Sequence, residues 1–153
     1  MYVASIIVLL FVLPALSVVV DALWLGGSAD LVQLVGKWFA FWAVGVRLFV
    51  AGVRQVVQPQ FTAREIFAVQ DPGALPIVRE VGFGNLSVGA LGVLTLLKPD
   101  FLVPAAIVGG LYYGLAGLGH VVRGHRNLAG QAALVTDLFA FVVLAVFVVA
   151  RGI

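Results

Sequence analysis

The sequence contains no cysteine, a single methionine and two histidines, and charged residues make up only 10% of its 153 positions. The absence of cysteine excludes structural disulfides, thiolate zinc sites, iron–sulfur clusters and cysteine nucleophiles. Soluble domains carry about 25% charged residues, so a chain with so little charge is not a soluble globule. Its nine basic residues form no Lys/Arg run of the kind that binds nucleic acid, and no nucleic-acid partner is predicted.

Apolar sequence takes the place of charge, since 63% of the residues are hydrophobic and the mean hydropathy is +1.16. About 20 apolar residues cross the hydrocarbon core of a bilayer. The hydrophobic runs therefore predict five transmembrane helices, near residues 2–20, 38–57, 77–97, 101–122 and 128–150. The predicted fold class is an all-α integral membrane protein with one domain over residues 1–153, a four-helix bundle plus an N-terminal helix, in contact with the lipid bilayer.

The first apolar run contains Pro14, where a kink is expected. No Lys or Arg precedes this run, and it is longer than the roughly 7–15 apolar residues of a signal peptide. We therefore expect a retained helix, with cleavage as the alternative. Ser28 is placed to cap the second helix, and Trp24 and Trp38 flank the connection as an aromatic belt would.

A short interfacial helix is predicted over residues 62–70. Thr62 and Glu65 have the spacing of a capping box, and Phe61 and Ile66 that of a hydrophobic staple. Apolar and charged residues separate around this helix, which is typical of a helix lying on a membrane surface.

Basic residues are distributed unequally between the two sides. With five crossings, the N-terminal side holds Arg54, Arg64, Arg79, Arg123 and Arg126, and the other side holds Lys37, Lys98 and Arg151. The positive-inside rule then predicts a cytoplasmic N-terminus and an external C-terminus.

A buried polar layer is predicted at mid-membrane. Arg47 lies near the middle of the second helix and Asp137 near the middle of the fifth, where a charge costs about 2.5–3.5 kcal/mol and must face the bundle interior. Tyr112 and Tyr113 lie mid-helix, where a buried hydroxyl needs a partner, and at least one of them is expected to face this layer. Tyr112 is assigned to the layer together with Asn85. Two interpretations stay open: an ion pair that fixes helix packing, or a proton or ion step in which Asp137 titrates against Arg47.

A second polar layer is predicted toward the cytoplasmic side. Counting about 1.5 Å per residue places four side chains about 10–13 Å from the span centres: Arg54, Glu80, His120 and Gln131. Arg54 and Glu80 are the expected ion pair, and His120 can titrate near neutral pH. Alternatively, Arg54 and His120 extend separately into the headgroups.

Small residues recur at helical spacing on two helices, which predicts closely approaching backbones. The third helix carries Gly82, Asn85, Gly89 and Gly92, and the fourth carries Gly110, Gly114 and Gly117.

No cofactor or metal is predicted. His120 and His125 lie close together at a membrane edge, so they cannot hold haem from both sides, and neither has an acid near it in the sequence. No combination of nucleophile, base and orienting group can be assembled, so an enzyme is not favoured.

Four segments carry a family resemblance: VRLFVAGVRQ at 46–55, PQFTA at 59–63, REVGFGNL at 79–86, and GH at 119–120 together with DLF at 137–139. Through them the chain resembles an uncharacterised family of small bacterial multi-spanning membrane proteins. An Arg-containing helix followed by a Gly and a Pro–Phe loop is more loosely similar to the DoxX-like four-helix membrane proteins. The resemblance implies a compact bundle in the plasma membrane and supplies no activity.

Three functions are therefore compared. The leading one is a non-enzymatic membrane protein, an accessory subunit or homo-oligomer, whose polar residues specify packing. The second is a small proton-coupled transporter that uses Arg47 and Asp137, although five spans without an inverted repeat disfavour a monomeric transporter. The third is a DoxX-like redox-associated protein, suggested by the resemblance and by His120.

Overall fold

The computed structural model describes residues 2–24, 30–123 and 128–152. Within these residues the secondary structure is helical without a strand, and five helices are long and apolar enough to span a membrane. The predicted fold class is confirmed. Three residues named above lie outside the described part of the chain. They are Ser28, the expected helix cap; His125, considered as a haem ligand; and Arg126, counted for the orientation.

Short π-helical stretches occur in the first two spanning helices and in the short helix that follows them. Helix α1 consists of Tyr2–Ile7, π-helical Val8–Val12 and Leu13–Trp24; helix α2 of Leu31–Phe39, π-helical Ala40–Arg47 and Leu48–Val57; and the short helix α3 of Pro59–Phe61 and π-helical Thr62–Ile66. Helix α4 is Ala74–Leu94, helix α5 is Leu102–Arg123 after a 3-10 turn at Pro99–Phe101, and helix α6 is Leu128–Ala150.

The first two spans extend further than the hydropathy indicates. Helix α1 continues through Asp21 to Trp24, and α2 already begins at Leu31. The reason is that Asp21 accepts a hydrogen bond from Lys37, with 2.6 Å between Oδ2 and Nζ, so both charges are tolerated inside helices. Asp30 caps α2, because its Oδ1 accepts from the backbone N–H groups of Val32 and Gln33.

Pro14 lies within α1, where the sequence predicts a kink. Proline has no N–H, and its ring displaces the carbonyl one turn earlier. The π-helical stretch Val8–Val12 lies directly before it, so the helix widens there and continues.

The predicted capping box at Thr62 is wrong. Pro59, which favours the first position of a helix, starts α3 directly after Gln58, so Thr62 lies inside the helix and forms no side-chain cap. The helix also ends at Ile66 and does not reach Gln70. Its sidedness is as expected, since Thr62 and Ala63 are buried whereas Arg64 and Glu65 are exposed.

The bundle is built from two close helix pairs, α2 with α4 and α5 with α6, and α1 packs against α2 and α6. The glycine stripe of α4 faces α2: a Cβ at Gly92 would lie 2.4 Å from the backbone nitrogen of Gly45, and one at Gly89 would lie 2.5 Å from that of Phe49. The stripe of α5 faces α6, where Gly114 meets Phe141 and Gly117 meets Leu138.

Most of the apolar core lies at one end of the bundle, which we call the core half. It is formed by the first part of α2, the start of α5 and the later part of α6, which the antiparallel order brings to the same depth. Its members include Phe39, Ala40, Val44, Leu102, Ala106, Leu144 and Phe147. The opposite end, toward α3, is the cavity half, and the polar residues of the site lie there.

Candidate functional site

A buried ion pair joins α2 to α6. Arg47 Nη2 donates to Asp137 Oδ1 at 2.8 Å and to Thr136 Oγ1 at 3.2 Å, and both charged side chains are largely shielded from solvent. The positions of Arg47 and Asp137 along their helices predict that both charges lie at the same depth in the membrane. The structure brings the two side chains into contact. Arg47 ends the π-helical stretch of α2, a local geometry that is common at functional sites.

His120 lies in this same layer. Its Nε2 is 3.9 Å from Asp137 Oδ2, and the residue is 7% exposed. Counting along the helix placed His120 nearer the membrane surface, but the close packing of α5 on α6 directs the side chain toward Asp137. The carboxylate therefore lies between a guanidinium and an imidazole.

The two adjacent tyrosines of α5 have different roles. Tyr113 is fully buried, its ring lies 4.9 Å from the guanidinium carbon of Arg47, and its hydroxyl donates to the carbonyl of Ala43. Tyr112, the residue assigned to the layer from the sequence, lines the adjoining cavity and packs edge to face against the Tyr113 ring. Tyr113 therefore supports the ion pair directly, and Tyr112 lies at the cavity wall.

Asn85 connects α4 to α2. Its Nδ2 donates to Gln55 Oε1 at 2.7 Å, and the residue is 2% exposed. Its Oδ1 is buried and has no hydrogen-bond partner within the described part of the chain. Buried polar atoms almost always have a partner, so this oxygen is an acceptor available to a molecule beside it.

The structure does not bring together the predicted second layer. Arg54 stacks on Phe61, with its guanidinium carbon 3.5 Å from the ring centroid, and forms no ion pair among residues 2–24, 30–123 and 128–152. Glu80 and Gln131 are exposed. The depth of a residue along a helix does not fix the direction of its side chain around the helix, and the α4 residues that line the cavity are Val81 and Asn85.

A cavity of about 190 Å³ lies between these side chains. All five spanning helices line it. Its polar lining includes Arg47, Arg54, Gln55, Asn85, His120 and Asp137. Phe61, Thr62 and Ile66 of α3, together with Phe67, cover the end that faces away from the core half.

The cavity reaches deep into the bundle. Arg47 lies about 15 Å before the end of α2 at Val57, at about 1.5 Å per residue. Apolar cavities of about 150 Å³ can remain dry, but this one has charged and amide walls and can hold water or a small polar molecule.

Sequence reasoning missed several polar contacts. Gln55 and Thr136 have no distinctive spacing and are found only from the three-dimensional packing. Asp21 could be identified from the sequence as an acid near the end of α1, with Lys37 at a similar depth on α2. In the structure, Asp21 Oδ2 also accepts a hydrogen bond from Trp38 Nε1 at 2.9 Å. This group lies in the core half, remote from the cavity.

Fold and site together define a helical bundle, compatible with a multi-pass membrane protein, that encloses a polar cavity. The chain belongs to a family of unknown function, DUF6790, whose model matches residues 1–152. No curated protein and no solved structure matches it significantly. The predicted membership of an uncharacterised family is confirmed, whereas the similarity to DoxX-like proteins and the bacterial origin stay predictions.

Proposed function

We propose that the protein is a non-enzymatic membrane protein that binds a small molecule in the polar cavity. The observation that carries this proposal is the volume of about 190 Å³ beside the pair of Arg47 and Asp137. An ion pair that only fixes helix packing needs close-packed surroundings, as protein interiors normally provide. Here the two charges hold α2 to α6 and also line open space.

The amide group of Asn85 supports the same proposal independently. Its buried Oδ1 lines the cavity side of α4 and has no partner among the described residues. Leaving such a group unsatisfied costs about 1–3 kcal/mol. A bound molecule or an ordered water in the cavity removes that cost.

Native mass spectrometry of the protein purified in mild detergent tests this function. We expect the wild-type chain to retain a bound small molecule. Ala116→Leu fills the cavity, because Ala116 lines it, and this variant should lose most of the bound species. The matched control is Ala15→Leu, at an exposed position of α1, which should retain it. Equal spectra for Ala116→Leu and the wild type, or no bound species in either, would contradict the proposal; the same spectra report any homo-oligomer or protein partner.

Proton-coupled transport is a second candidate, favoured by one observation. His120 and Asp137 are two titratable groups 3.9 Å apart across α5 and α6, beside the cavity. In proteoliposomes containing a pH-sensitive dye, an imposed membrane potential should drive proton flux through the wild type. His120→Gln and Asp137→Asn should each abolish it. Absence of flux in the wild type excludes this second function and leaves the binding function standing.

The topology proposed for this function places the cavity half toward the cytoplasm of a plasma membrane. Arg54, Arg64 and Arg79 lie on that side, and Lys98 and Arg151 lie on the other, in line with the positive-inside rule. A reporter fused to the N-terminus should remain cytoplasmic, and one fused to the C-terminus should be external. Two termini that report from the same side would overturn this orientation.

A further inference from the structure

We propose that the cavity binds a single-chain anionic amphiphile, a long-chain carboxylate whose head lies at Arg54 and whose chain passes Val50 into the bilayer. This inference rests on the proposed function, since it names the class of ligand for the same cavity.

The charges around the cavity favour an anion. Arg47 and Asp137 neutralise each other at 2.8 Å. Arg54 also lines the cavity and forms no ion pair within the described chain. Glu80 lies on α4, but its side chain is exposed and is not part of the lining. Among the Arg and Asp side chains of the lining, Arg47 and Arg54 outnumber Asp137 and leave one positive charge in excess.

The geometry of Arg54 suits a carboxylate. Its guanidinium lies over the Phe61 ring at 3.5 Å, so one face of the planar group is occupied by the aromatic ring. The N–H groups then point outward in the guanidinium plane, where a carboxylate can accept two parallel hydrogen bonds. A cationic head would be repelled by Arg54, and a neutral oxygen would accept a hydrogen bond without the attraction between opposite charges.

The size and the opening of the cavity favour an amphiphile. About 190 Å³ accommodates a head group and a few carbons, but not a complete lipid chain. Val50 lines the cavity and is 53% exposed, and it lies about 10 Å before the end of α2, within hydrocarbon depth. Ser5 of α1 likewise lines the cavity and is exposed. The cavity therefore opens sideways toward lipid, and its walls beside this opening include the apolar Ile6 and Leu9.

Photo-crosslinking of the full chain in phosphatidylcholine nanodiscs tests the proposal, with diazirine-bearing stearate as the probe. We expect crosslinks in α1 and α2, near Ser5 and Val50, that excess oleate removes. Oleyl alcohol has the chain without the charge, and butyrate has the charge without the chain, so neither should compete. Equal competition by oleyl alcohol would overturn the anionic head, and equal competition by butyrate would show that a water-soluble carboxylate is the ligand.

Variants at one position identify the recognition residue. Arg54→Gln should lower the labelling about tenfold or more, as expected when a charge-assisted hydrogen bond is removed. Arg54→Lys should retain part of it. Arg79→Gln removes an exposed basic residue of the same side that does not line the cavity, and it should leave the labelling unchanged. Equal loss in Arg54→Gln and Arg79→Gln would show that surface charge alone attracts the probe, and would overturn the site.

The proposed function and the proposed ligand class fail in different ways. If stearate does not label the cavity while Ala116→Leu still loses another bound species in native mass spectrometry, only the ligand class is wrong. If Ala116→Leu loses no species and stearate labelling is also insensitive to it, the cavity is not a binding site and both proposals fail.

Discussion

Asp21 and Asp137 are both buried carboxylates that pair with a cation of α2, but their surroundings differ. Asp21 lies in the core half, where Lys37 and Trp38 both donate to its Oδ2. The Lys37 side chain is 37% exposed, so the charge of this pair still contacts solvent. Asp137 has partners that are as buried as itself, Arg47 and His120, and it faces a cavity. The first pair connects two helices and is partly exposed, whereas the second is buried and lines the cavity.

Small residues have different neighbours at different positions in the bundle. In the core half, the backbones of α2 and α4 touch at Gly45 and Gly92, with no room for one additional carbon. In the cavity half, the small residues Ala116 and Ala133 border open volume. The backbones of α2 and α4 are also close beside the cavity, since a Cβ at Gly52 would lie 2.8 Å from the carbonyl oxygen of Gly82. Substitutions made separately in the core half and in the cavity half test whether the two carboxylates differ in this way.

The largest effect is expected at the buried pair of the cavity half. Asp137→Asn or Arg47→Gln leaves the other charge buried without its partner, a loss of about 3–5 kcal/mol. Each variant should lower the melting temperature in detergent, and the double variant should recover part of the loss because no charge is then stranded.

The double-mutant cycle provides its own control. Losses that add to within about 0.3–0.5 kcal/mol would show that the two residues act independently. In that case the contact at 2.8 Å would not exist in the folded protein.

Some of this site could be predicted from the sequence, because two charges at mid-membrane must face inward. Arg47 and Asp137 fulfil that condition in any five-helix arrangement. The contact of His120 with Asp137 could not be found in the same way, since it depends on how α5 is rotated against α6. Depth alone likewise suggested Glu80 as the partner of Arg54, and Phe61 takes that place.

The fold was predictable to the level of five helices and no further. The hydropathy pattern predicts that the first span ends before Asp21, because a charged residue normally marks the membrane edge. In the structure Lys37 neutralises this carboxylate, and the helix continues to Trp24. The capping-box pattern at Thr62 was outweighed by Pro59, which starts the helix earlier. No sequence pattern predicts the cavity, because the cavity is the volume that the packed helices leave unfilled.

The glycine contact of the core half should give the next largest effect. Gly92→Ala places a Cβ 2.4 Å from the nitrogen of Gly45, which forces α2 and α4 apart. Overpacking of this kind costs about 1–3 kcal/mol. Gly84→Ala on the same helix is the matched control, because a Cβ there meets nothing within 4 Å. Thermal unfolding of the two variants should differ clearly, and equal melting temperatures would mean that the close backbone contact is absent.

A smaller loss is expected from the carboxylate of the core half. Asp21→Asn removes the charge that Lys37 neutralises but keeps an oxygen for Trp38, and Lys37 can turn toward solvent. We expect a loss of about 1.5 kcal/mol, at the lower end for hydrogen bonds to charged groups. Stearate labelling of the cavity should not change. A loss as large as that of Asp137→Asn, or weaker labelling, would remove the distinction between the two carboxylates.

The smallest effect is expected at Asp30, where the core half begins. Its Oδ1 caps α2, and its Oδ2 lies 3.1 Å from Arg151 in an exposed ion pair. An N-cap contributes about 1 kcal/mol, whereas an exposed ion pair contributes about 0–1 kcal/mol. Asp30→Ala should therefore speed hydrogen exchange in the first turns of α2, and Asp30→Asn, which can still cap, should not. Arg151→Gln separates the two contributions, because it removes only the ion pair. If Arg151→Gln speeds the exchange as much as Asp30→Ala does, the ion pair rather than the cap holds the start of α2.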